Sequence, residues 1–382
     1  MNFEKRAKAL QEQIVTDRRY LHSHAEFGME LPETVSYITK RLKEIGCTPI
    51  SCGGGIICDL GSGDKTVLLR ADMDALKVIE DNDLPFCSQT EISHMCGHDL
   101  HAAMLLGAAA LLKEQEESLK GRVRLMFQPG EEVMAGAKAM IADGVLENPK
   151  VDAAISMHVI TNEENGILSY KQGAAFSSVD IFKIAVVGKG GHGSALEYTV
   201  DPIKAAMLIY QGIEGIVARE TSMFHAATCS IGHVEAGTMY NVIPESAVLE
   251  GTLRCYDDSD RIRILSRIQQ ITDGVSVASG TDCTLHVMST PSLKNDPALC
   301  EMIGPFLPEI EGLRVQETTE PSTASEDFAY ISETVPTMYM FLGVGSKGAA
   351  PNHNAKAIFQ EDKMHLGSAA LALAAVKYLE NC

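Results

Sequence analysis

The sequence predicts an α/β protein with a mostly parallel sheet covered by helices, into which a smaller α+β module is inserted. Over residues 1–178, short apolar segments typical of buried strands alternate with helical segments, as in parallel sheets covered on both faces. Over 179–290 the order becomes β-α-β-β-α-β, which is that of a ferredoxin-like module. The first pattern resumes over 291–382. We therefore predict a large domain, formed by the first and last segments, and a small inserted one.

The first segment begins with helices and continues as alternating strands and helices. Residues 4–46 carry apolar side chains at the spacing of a helical face, and Gly46 is a typical helix stop. The elements predicted next are a strand at 66–70, a helix from about 102 to 116, a strand at 122–127, a helix at about 136–143 and a strand at about 153–158.

The inserted module is predicted from a change in this order. Its elements are a strand at 181–187, a helix at 202–219, strands at 227–234 and 247–254, a helix at 260–279 and a strand at 283–287. After Pro291, a helix, a strand at 337–342 and a long helix at about 361–380 return to the pattern of the first segment.

The composition favours a globular protein and excludes two classes of partner. Hydrophobic residues make up 45% and charged residues 22% of the 382, and 51 acidic residues against 32 basic ones leave a net charge of -19. A surface this acidic repels phosphate backbones and anionic headgroups, so we expect no nucleic-acid and no membrane partner. The ten cysteines are scattered, and no apolar run is long enough to span a bilayer. We therefore expect reduced thiols and a cytoplasmic location.

The segment HisMetCysGlyHisAspLeuHis (94–101) places a thiol and several imidazoles just before a predicted helix. Cys96 and His98 can offer sulfur and nitrogen to one ion, as zinc sites require. A buried thiol beside histidines at a helix start would give the same short pattern. The segment alone therefore leaves both interpretations open.

Two adjacent carboxylates, Glu131 and Glu132, follow the predicted strand at 122–127. The carboxyl ends of strands are where open α/β sheets bind ligands. Neighbouring side chains point in different directions, so one can bind metal while the other acts as a base beside it. A solvated acidic turn is the alternative interpretation.

Five candidate donors fall near predicted strand ends of one sheet. His158 ends a predicted strand and His353 lies in the loop after the last one, although either histidine alone is typical of an ordinary surface residue. The set fits a carboxylate-bridged pair of ions, with Glu131 left over as a base. Its members are Cys96, His98, Glu132, His158 and His353.

A further carboxylate pair, Asp72 and Asp74, ends the predicted strand at 66–70. Residues at i and i+2 of an extended segment share one side, so both can face the same neighbour. They are candidates to orient a ligating histidine. A plain strand-end turn is the alternative.

Six motifs stand in the order and approximate spacing of one family. They are ArgAlaAspMetAspAlaLeu (70–76), CysGlyHisAspLeuHis (96–101), GlnProGlyGluGlu (128–132), GlyGlyHisGly (190–193), AsnValIlePro (241–244) and SerGluAspPhe (325–328). Over nearly its whole length the chain resembles the aminoacylase/glutamate carboxypeptidase family of co-catalytic metallopeptidases. It is most similar to the amidohydrolase branch, which includes N-acyl-L-amino acid amidohydrolases, hippurate hydrolases and auxin-conjugate hydrolases. The resemblance implies a zinc-peptidase-like catalytic domain and an inserted lid and dimerisation domain.

The resemblance also implies roles for the matching residues. It implies that two divalent ions per subunit are bound by Cys96, His98, Glu132, His158 and His353, and that Glu131 is the general base. His192, in the inserted domain, steadies the oxyanion in a neighbouring subunit's site. Asn241 and Arg254 hold the carboxylate of the substrate.

Two aspartates of the first motif receive different expectations from the resemblance. Asp74 is expected to orient a metal ligand without binding metal itself. Asp72 stands where the peptidase branch has a ligating histidine, and it is left out of the ligand set.

These expectations describe a metal-dependent amidohydrolase that cleaves the amide bond of an N-acyl amino acid or a similar conjugate. Zinc or manganese is the expected metal, with cobalt or nickel as substitutes. The expected partners are this small or peptide-like substrate and a second subunit, bound through the inserted domain. A dipeptidase or carboxypeptidase that uses the same ions is the alternative, and a non-catalytic metal-binding protein is a further one.

Overall fold

The computed structural model describes residues 2–382, which form two compact units. The first unit contains the residues up to Ala175 together with Lys294–Pro321 and Glu326–Cys382. The second contains Phe176–Leu293 and the short segment Ser322–Ser325. The chain therefore enters the second unit twice, the second time for one short segment.

Strands and helices are numbered along the chain. The strands are β1 (Ile50–Cys52), β2 (Gly55–Gly61), β3 (Thr66–Asp72), β4 (Arg122–Gln128), β5 (Ala153–Glu164), β6 (Ile167–Tyr170), β7 (Gly173–Ala174), β8 (Val179–Val187), β9 (Gly191–His192), β10 (Ala227–Ala236), β11 (Val242–Ile243), β12 (Ser246–Cys255), β13 (Asp282–Thr290), β14 (Lys294–Asn295), β15 (Arg314–Glu317) and β16 (Thr337–Gly345). The α-helices are α1 (Phe3–Ser23), α2 (Pro32–Ile45), α3 (His98–Lys113), α4 (Gly136–Ala142), α5 (Pro202–Glu220), α6 (Asp258–Ser279), α7 (Pro297–Ile303), α8 (Ala329–Ser332) and α9 (Met364–Asn381).

The first unit is built around an eight-stranded sheet in the order β1-β2-β4-β3-β5-β16-β6-β15. The four central strands β4, β3, β5 and β16 run parallel. Towards the edges, β1 pairs with β2, β2 with β4 and β6 with β16 in antiparallel fashion. The predicted fold class, a mostly parallel sheet covered by helices, is confirmed for the centre of the sheet, and the antiparallel flanks are an addition to it.

Helix α3 supports the edge of the sheet from which the candidate ligands project. It packs against α1, α9 and β3, and all of its residues except Ala110 and Lys113 are buried. A helix that is buried on every side must be held in place by the surrounding core. Its start is therefore a rigid point in the unit.

The start of α3 differs from the prediction, since the helix begins at His98 and not near Ala102. Gly97 caps it in the left-handed region, with φ of +93°. A β-carbon on Gly97 would lie 2.4 Å from Val159 Cγ2 and 2.7 Å from Phe359 Cε1, so only glycine fits there. Polar residues in the first turn hid the helical pattern in the sequence, because they face buried partners instead of solvent.

The second unit contains a four-stranded antiparallel sheet in the order β10-β12-β8-β13. Helices α5 and α6 pack on this sheet and share an aliphatic core with it. Leaving aside the short pair β9–β11, its elements follow the order β-α-β-β-α-β along the chain. That is the order expected for a ferredoxin-like module.

Among the described residues, 2–382, no helix combines the length and the apolar character needed to cross a bilayer.

We predict that Gly97→Ala destabilises the protein more than Gly144→Ala does. Gly144 also has a positive φ, of +88°, but a β-carbon there would meet nothing within 4 Å. Its substitution should cost about 1–2 kcal/mol for the left-handed backbone alone. Gly97→Ala should add about 1–3 kcal/mol for overpacking against Val159 and Phe359. Urea unfolding of both variants measures the difference, and equal losses would contradict the close packing around Gly97.

Candidate metal centre

The candidate donors meet at one edge of the large sheet, where β3 and β4 end and α3 begins. His98 is the first residue of α3, and Cys96 precedes it in the turn before the helix. Glu132 lies in the turn after β4, and His353 lies in the loop after β16. Elements that are distant in sequence thus bring their side chains to one place.

The sequence predicted that His158 ends its strand, but β5 continues to Glu164. The pairing of β5 with β3 stops at Ser156. His158 therefore lies where the edge of β5 is no longer covered by β3, and its ring can face the cluster. The end of the pairing with β3, and not the end of β5 itself, therefore gives His158 access to the cluster.

Cys96 is the residue that the other donors share. Its Sγ lies 3.4 Å from His158 Nε2 and 3.2 Å from His353 Nε2. The donor atoms of Cys96, His98 and His158 lie within 4.8 Å of one another, as do those of Cys96, Glu132 and His353. Each group has the size that holds one ion. His98, Glu131 and Glu132 form a further group of this size, so the carboxylate of Glu132 also belongs to two groups. The bridging carboxylate expected from the sequence stays a prediction, and the sulfur of Cys96 is a second candidate for the bridge.

Two buried atoms of the cluster, His98 Nε2 and Glu132 Oε1, lack a hydrogen-bond partner and lie 3.8 Å apart. His98 Nδ1 donates to the main-chain oxygen of Asp74 at 2.9 Å, so Nε2 of the neutral ring presents a lone pair. Burial lowers the pKa of His98, but the charge of Asp72 outweighs it and raises the pKa well above its usual value, so a bound ion would displace a proton from Nε2. A buried polar atom left unpaired costs about 1–3 kcal/mol. A divalent cation would accept both lone pairs at once, so these residues fit a metal ion.

The protonation states of His158 and Cys96 also suit ligands. Burial lowers the pKa of His158 well below its usual value, and its Nδ1 donates to Val159 O at 2.7 Å, which leaves Nε2 as an acceptor. Burial raises the pKa of the Cys96 thiol well above its usual value, although His98 opposes this. The thiolate therefore needs a cation beside it to form at neutral pH.

Glu131 lies beside the donors without belonging to either group that contains Cys96. Its Oε2 is 4.0 Å from His98 Nε2. Burial raises the pKa of Glu131 well above its usual value, and the charges of Glu326 and Glu132 raise it further. A carboxylate held in this way is a stronger proton acceptor than an exposed one.

Asp74 orients the turn that carries both glutamates. Its carboxylate accepts hydrogen bonds from the main-chain N–H groups of Glu131 and Glu132, each at 3.1 Å. Its main-chain oxygen accepts from His98, as described above. One residue at the end of β3 thus aligns a histidine and two carboxylates.

Asp72 has both of its oxygens occupied by protein partners. Arg70 Nη1 donates to Oδ2 at 2.7 Å, and His101 Nδ1 donates to Oδ1. His101 Nε2 in turn accepts the Val159 N–H at 2.9 Å. Asp72 Oδ2 also lies 3.6 Å from His98 Nε2, and Asp72, His98 and His101 form another group whose candidate ligand atoms lie within 4.8 Å of one another. The exclusion of Asp72 from the ligand set therefore stays a prediction. The role of His101 was not predicted from the sequence, although His101 lies one helical turn after His98 and therefore on the same face of α3.

Arg70 is buried beneath the donors among three carboxylates. It donates to Glu326 at 2.8 Å and to Asp327 at 3.2 Å in addition to Asp72. Tyr339 donates its hydroxyl to Glu326 as well. The SerGluAspPhe motif therefore supplies the charges that surround Arg70 and raise the pKa of Glu131.

Three candidate residues belong to the second unit. His192 pairs with Val242 across β9–β11, and just beyond this pair Gly193 N donates to Asn241 O at 2.9 Å. His192 Nδ1 accepts from the main-chain N–H of Ser194 at 3.2 Å, so Nε2 carries the hydrogen of the neutral ring. Arg254 Nη1 donates to Ser325 Oγ at 2.8 Å.

Comparison with known proteins gives a consistent family. The sequence matches the family described as "Peptidase family M20/M25/M40" over residues 68–377. An N-acetyl-L-cysteine deacetylase of Bacillus subtilis is 37% identical over 87% of this chain and 81% of its own length. Thermostable carboxypeptidase 2 of Saccharolobus solfataricus is 34% identical, with 97% and 96% covered. A hippurate hydrolase of Campylobacter jejuni is 33% identical, with 97% and 98% covered.

A solved structure from Bacillus subtilis, described as "a Dinuclear Metal Binding Peptidase from M20 Family", is similar to the whole chain. The two superpose with a TM-score of 0.84 at 30% identity, covering 98% of this chain and 100% of the other. The likeness extends over both units of the fold.

We predict that metal protects Cys96 from alkylation. A thiolate bound to an ion cannot attack iodoacetamide, whereas the free thiol reacts, if slowly because of burial. Peptide mass spectrometry of the metal-free and Zn²⁺-loaded proteins measures the rates. The exposed thiol of Cys382 serves as the control and should react equally in both forms. Equal rates at Cys96 as well would show that its sulfur does not bind metal.

Proposed function

The chain belongs to peptidase family M20/M25/M40, and from that membership we propose that it hydrolyses N-acyl amino acids at a two-metal centre. Metal-dependent amide hydrolysis is the activity of its family relatives, and the deacetylase and hippurate hydrolase act by their names on N-acyl amino acids. The observation that carries the proposal is the membership of Cys96 in two donor groups, because two groups of three donors suit two ions. The proposed ligands are Cys96, His98, Glu132, His158 and His353.

Divalent ions held there would supply Lewis-acid chemistry, which lowers the pKa of a bound water and polarises the amide carbonyl. We propose zinc or manganese as the native metal. Thiolate and imidazole ligands favour zinc and carboxylates tolerate manganese, while cobalt and nickel should substitute.

Glu131 is the proposed general base. It is buried beside the donors and its raised pKa makes it a good proton acceptor. In the first step it takes a proton from the attacking water, and in the second it delivers that proton to the nitrogen of the leaving amine. The carboxyl group is thereby returned to its starting state.

Three residues of the second unit are proposed to act on the substrate. The Nε2–H of His192 would donate to the carbonyl oxygen as negative charge develops there, an interaction worth about 3–4 kcal/mol in an oxyanion hole. Asn241, which precedes the cross-strand partner of His192, and the guanidinium of Arg254 would hold the substrate carboxylate. These roles follow from family membership and from the donor groups that the residues offer.

The enzyme is proposed to be a cytoplasmic homodimer that associates through the second unit. A residue such as His192, exposed on a two-residue strand, is available to a neighbouring subunit. A cysteine used as a metal ligand must remain reduced, which the cytoplasm ensures.

A carboxypeptidase or dipeptidase is the second candidate, supported by the similarity to the Saccharolobus carboxypeptidase. The same ions and base would serve it. Comparing N-acetyl amino acids with dipeptides that have a free amino terminus distinguishes the two. Faster turnover of dipeptides would favour the second candidate, and no turnover of either class would favour a metal-binding protein without catalysis.

Replacing Glu131 with Gln should abolish turnover and leave the metal content unchanged. Glutamine has nearly the same shape but cannot accept the proton, so kcat should fall by about a thousandfold or more. Glu132→Gln is the matched comparison, and it should lose metal as well as activity. Near-normal turnover of Glu131→Gln would contradict the assignment of the base.

Mixing two inactive dimers, Glu131→Gln and His192→Ala, should restore activity if His192 acts in the partner's site. Each mixed dimer then holds one complete site, so about a quarter of wild-type activity should return after random exchange of a C2 dimer. The control mixture of Glu131→Gln with Cys96→Ser should stay inactive, since the first subunit lacks the base, the second lacks a metal ligand, and neither site is complete. An inactive first mixture, with exchange demonstrated by mass spectrometry, would contradict action across the dimer.

A further inference from the structure

We propose that Asn352 is a positioning residue that holds three ligand-bearing segments of the first unit in register. This proposal rests on the proposed function in one respect, because it requires that the donors around Cys96 bind metal. Asn352 precedes the ligand His353 in the loop after β16, and its side-chain amide connects that loop to the segment of Cys96 and to β5.

The side-chain amide of Asn352 uses both of its hydrogens on the main chain. Nδ2 donates to Cys96 O at 2.8 Å and to Val159 O at 2.9 Å. Oδ1 accepts the main-chain N–H of Thr161 at 3.1 Å. Because carbonyl oxygens only accept and the Thr161 N–H only donates, the orientation of this amide is unambiguous.

The two carbonyl groups that Asn352 contacts belong to the ligand segments themselves. One is the main-chain oxygen of Cys96, and the other is that of Val159, which also accepts from the Nδ1 of ligand His158. The next residue, His353, donates its main-chain N–H to Met95 O at 2.7 Å. Two successive residues of the loop thus donate hydrogen bonds to two successive residues of the Cys96 segment.

His353 is the donor that most needs this support. Its side chain is 57% exposed, whereas that of Glu132 is 8% exposed. Its backbone has φ of +68°, a left-handed conformation that a non-glycine residue adopts only when its surroundings enforce it. The bonds of Asn352 act together with the main-chain bond from His353 to Met95 to keep His353 Nε2 at 3.2 Å from Cys96 Sγ and 3.6 Å from Glu132 Oε1. Those of Asn352 are the ones that connect this loop to β5 and to the Cys96 segment at once.

Asn352 has no amide hydrogen left for substrate or water, so its effect on catalysis must pass through the ligands. We therefore expect its loss to weaken metal binding first. The ion of the group that contains His353 should be affected more than the ion of the group that contains His98, because His98 is fixed by α3 and Asp74. Loss of a residue that orients ligands typically costs about 10–100-fold in metal affinity.

The experiment titrates Co²⁺ alone into the metal-free forms of the wild type, Asn352→Ala and Asn352→Asp. Absorption from thiolate-to-cobalt charge transfer reports the ions that contact Cys96, independently of activity. Asn352→Asp keeps the size and the acceptor oxygen of the side chain but loses both amide hydrogens. It should therefore weaken the binding of one of the two ions about as much as Asn352→Ala does. Asn354→Ala is the matched control, since the side chain of Asn354 accepts a hydrogen bond from Lys356 N within its own loop. It should bind Co²⁺ as the wild type does.

Unfolding of the metal-free variants, measured in parallel, separates positioning from general stability. We expect unchanged or slightly lowered unfolding midpoints together with a loss of about 10–100-fold in the affinity of one ion. Wild-type Co²⁺ affinity in both Asn352 variants, or an equal loss in Asn354→Ala, would overturn the proposal. So would a loss of affinity fully accounted for by unfolding of the metal-free protein. A wild type that binds no Co²⁺ at Cys96 would instead refute the proposed function.

Discussion

The candidate metal centre depends on the turn at Gly97, which places the thiol of Cys96 and the imidazole of His98 on either side of one residue. The left-handed backbone at this residue brings the chain against Val159 and Phe359 so closely that no β-carbon fits. From there Cys96 faces the carboxyl edge of the sheet, and His98 starts a helix that is buried almost everywhere. Other elements place the remaining donors around this pair. The carboxylate of Asp74 accepts the main-chain N–H of Glu132, and the pairing of β3 with β5 ends before His158. The loop after β16 holds His353 through its bond to Met95 O.

Several buried carboxyl groups lie near this turn, and one arginine lies among them. Arg70 is the buried cation beneath the centre, and it is shared by Asp72, Glu326 and Asp327. The two glutamates after β4 lie at the same edge of the sheet, and the pKa of each is raised by burial. Uncompensated buried carboxylates are costly, so cations bound at the donors would stabilise the fold as well as serve catalysis.

The sequence was sufficient for the parts of the fold that rest on periodicity and for the residues that rest on motif order. The central parallel strands, the order of the inserted module and the family resemblance were predicted, and the fold class and family were confirmed. The antiparallel hairpin β1–β2 was missed, although Gly53 and Gly54, both with positive φ, are a typical hairpin turn. His101 and Asn352 were not identified because their partners are main-chain groups and an aspartate that only the folded chain brings near.

If the sulfur atom of Cys96 serves two ions in each subunit, as proposed, both ions must lie within bonding distance of it. Anomalous X-ray diffraction at the zinc edge, from crystals of the zinc-loaded enzyme, measures this because the signal is specific to zinc. We expect two anomalous peaks per subunit, both at about 2.3 Å from Cys96 Sγ, the usual zinc–sulfur distance. A single peak, or two peaks of which the sulfur reaches only one, would contradict the proposal.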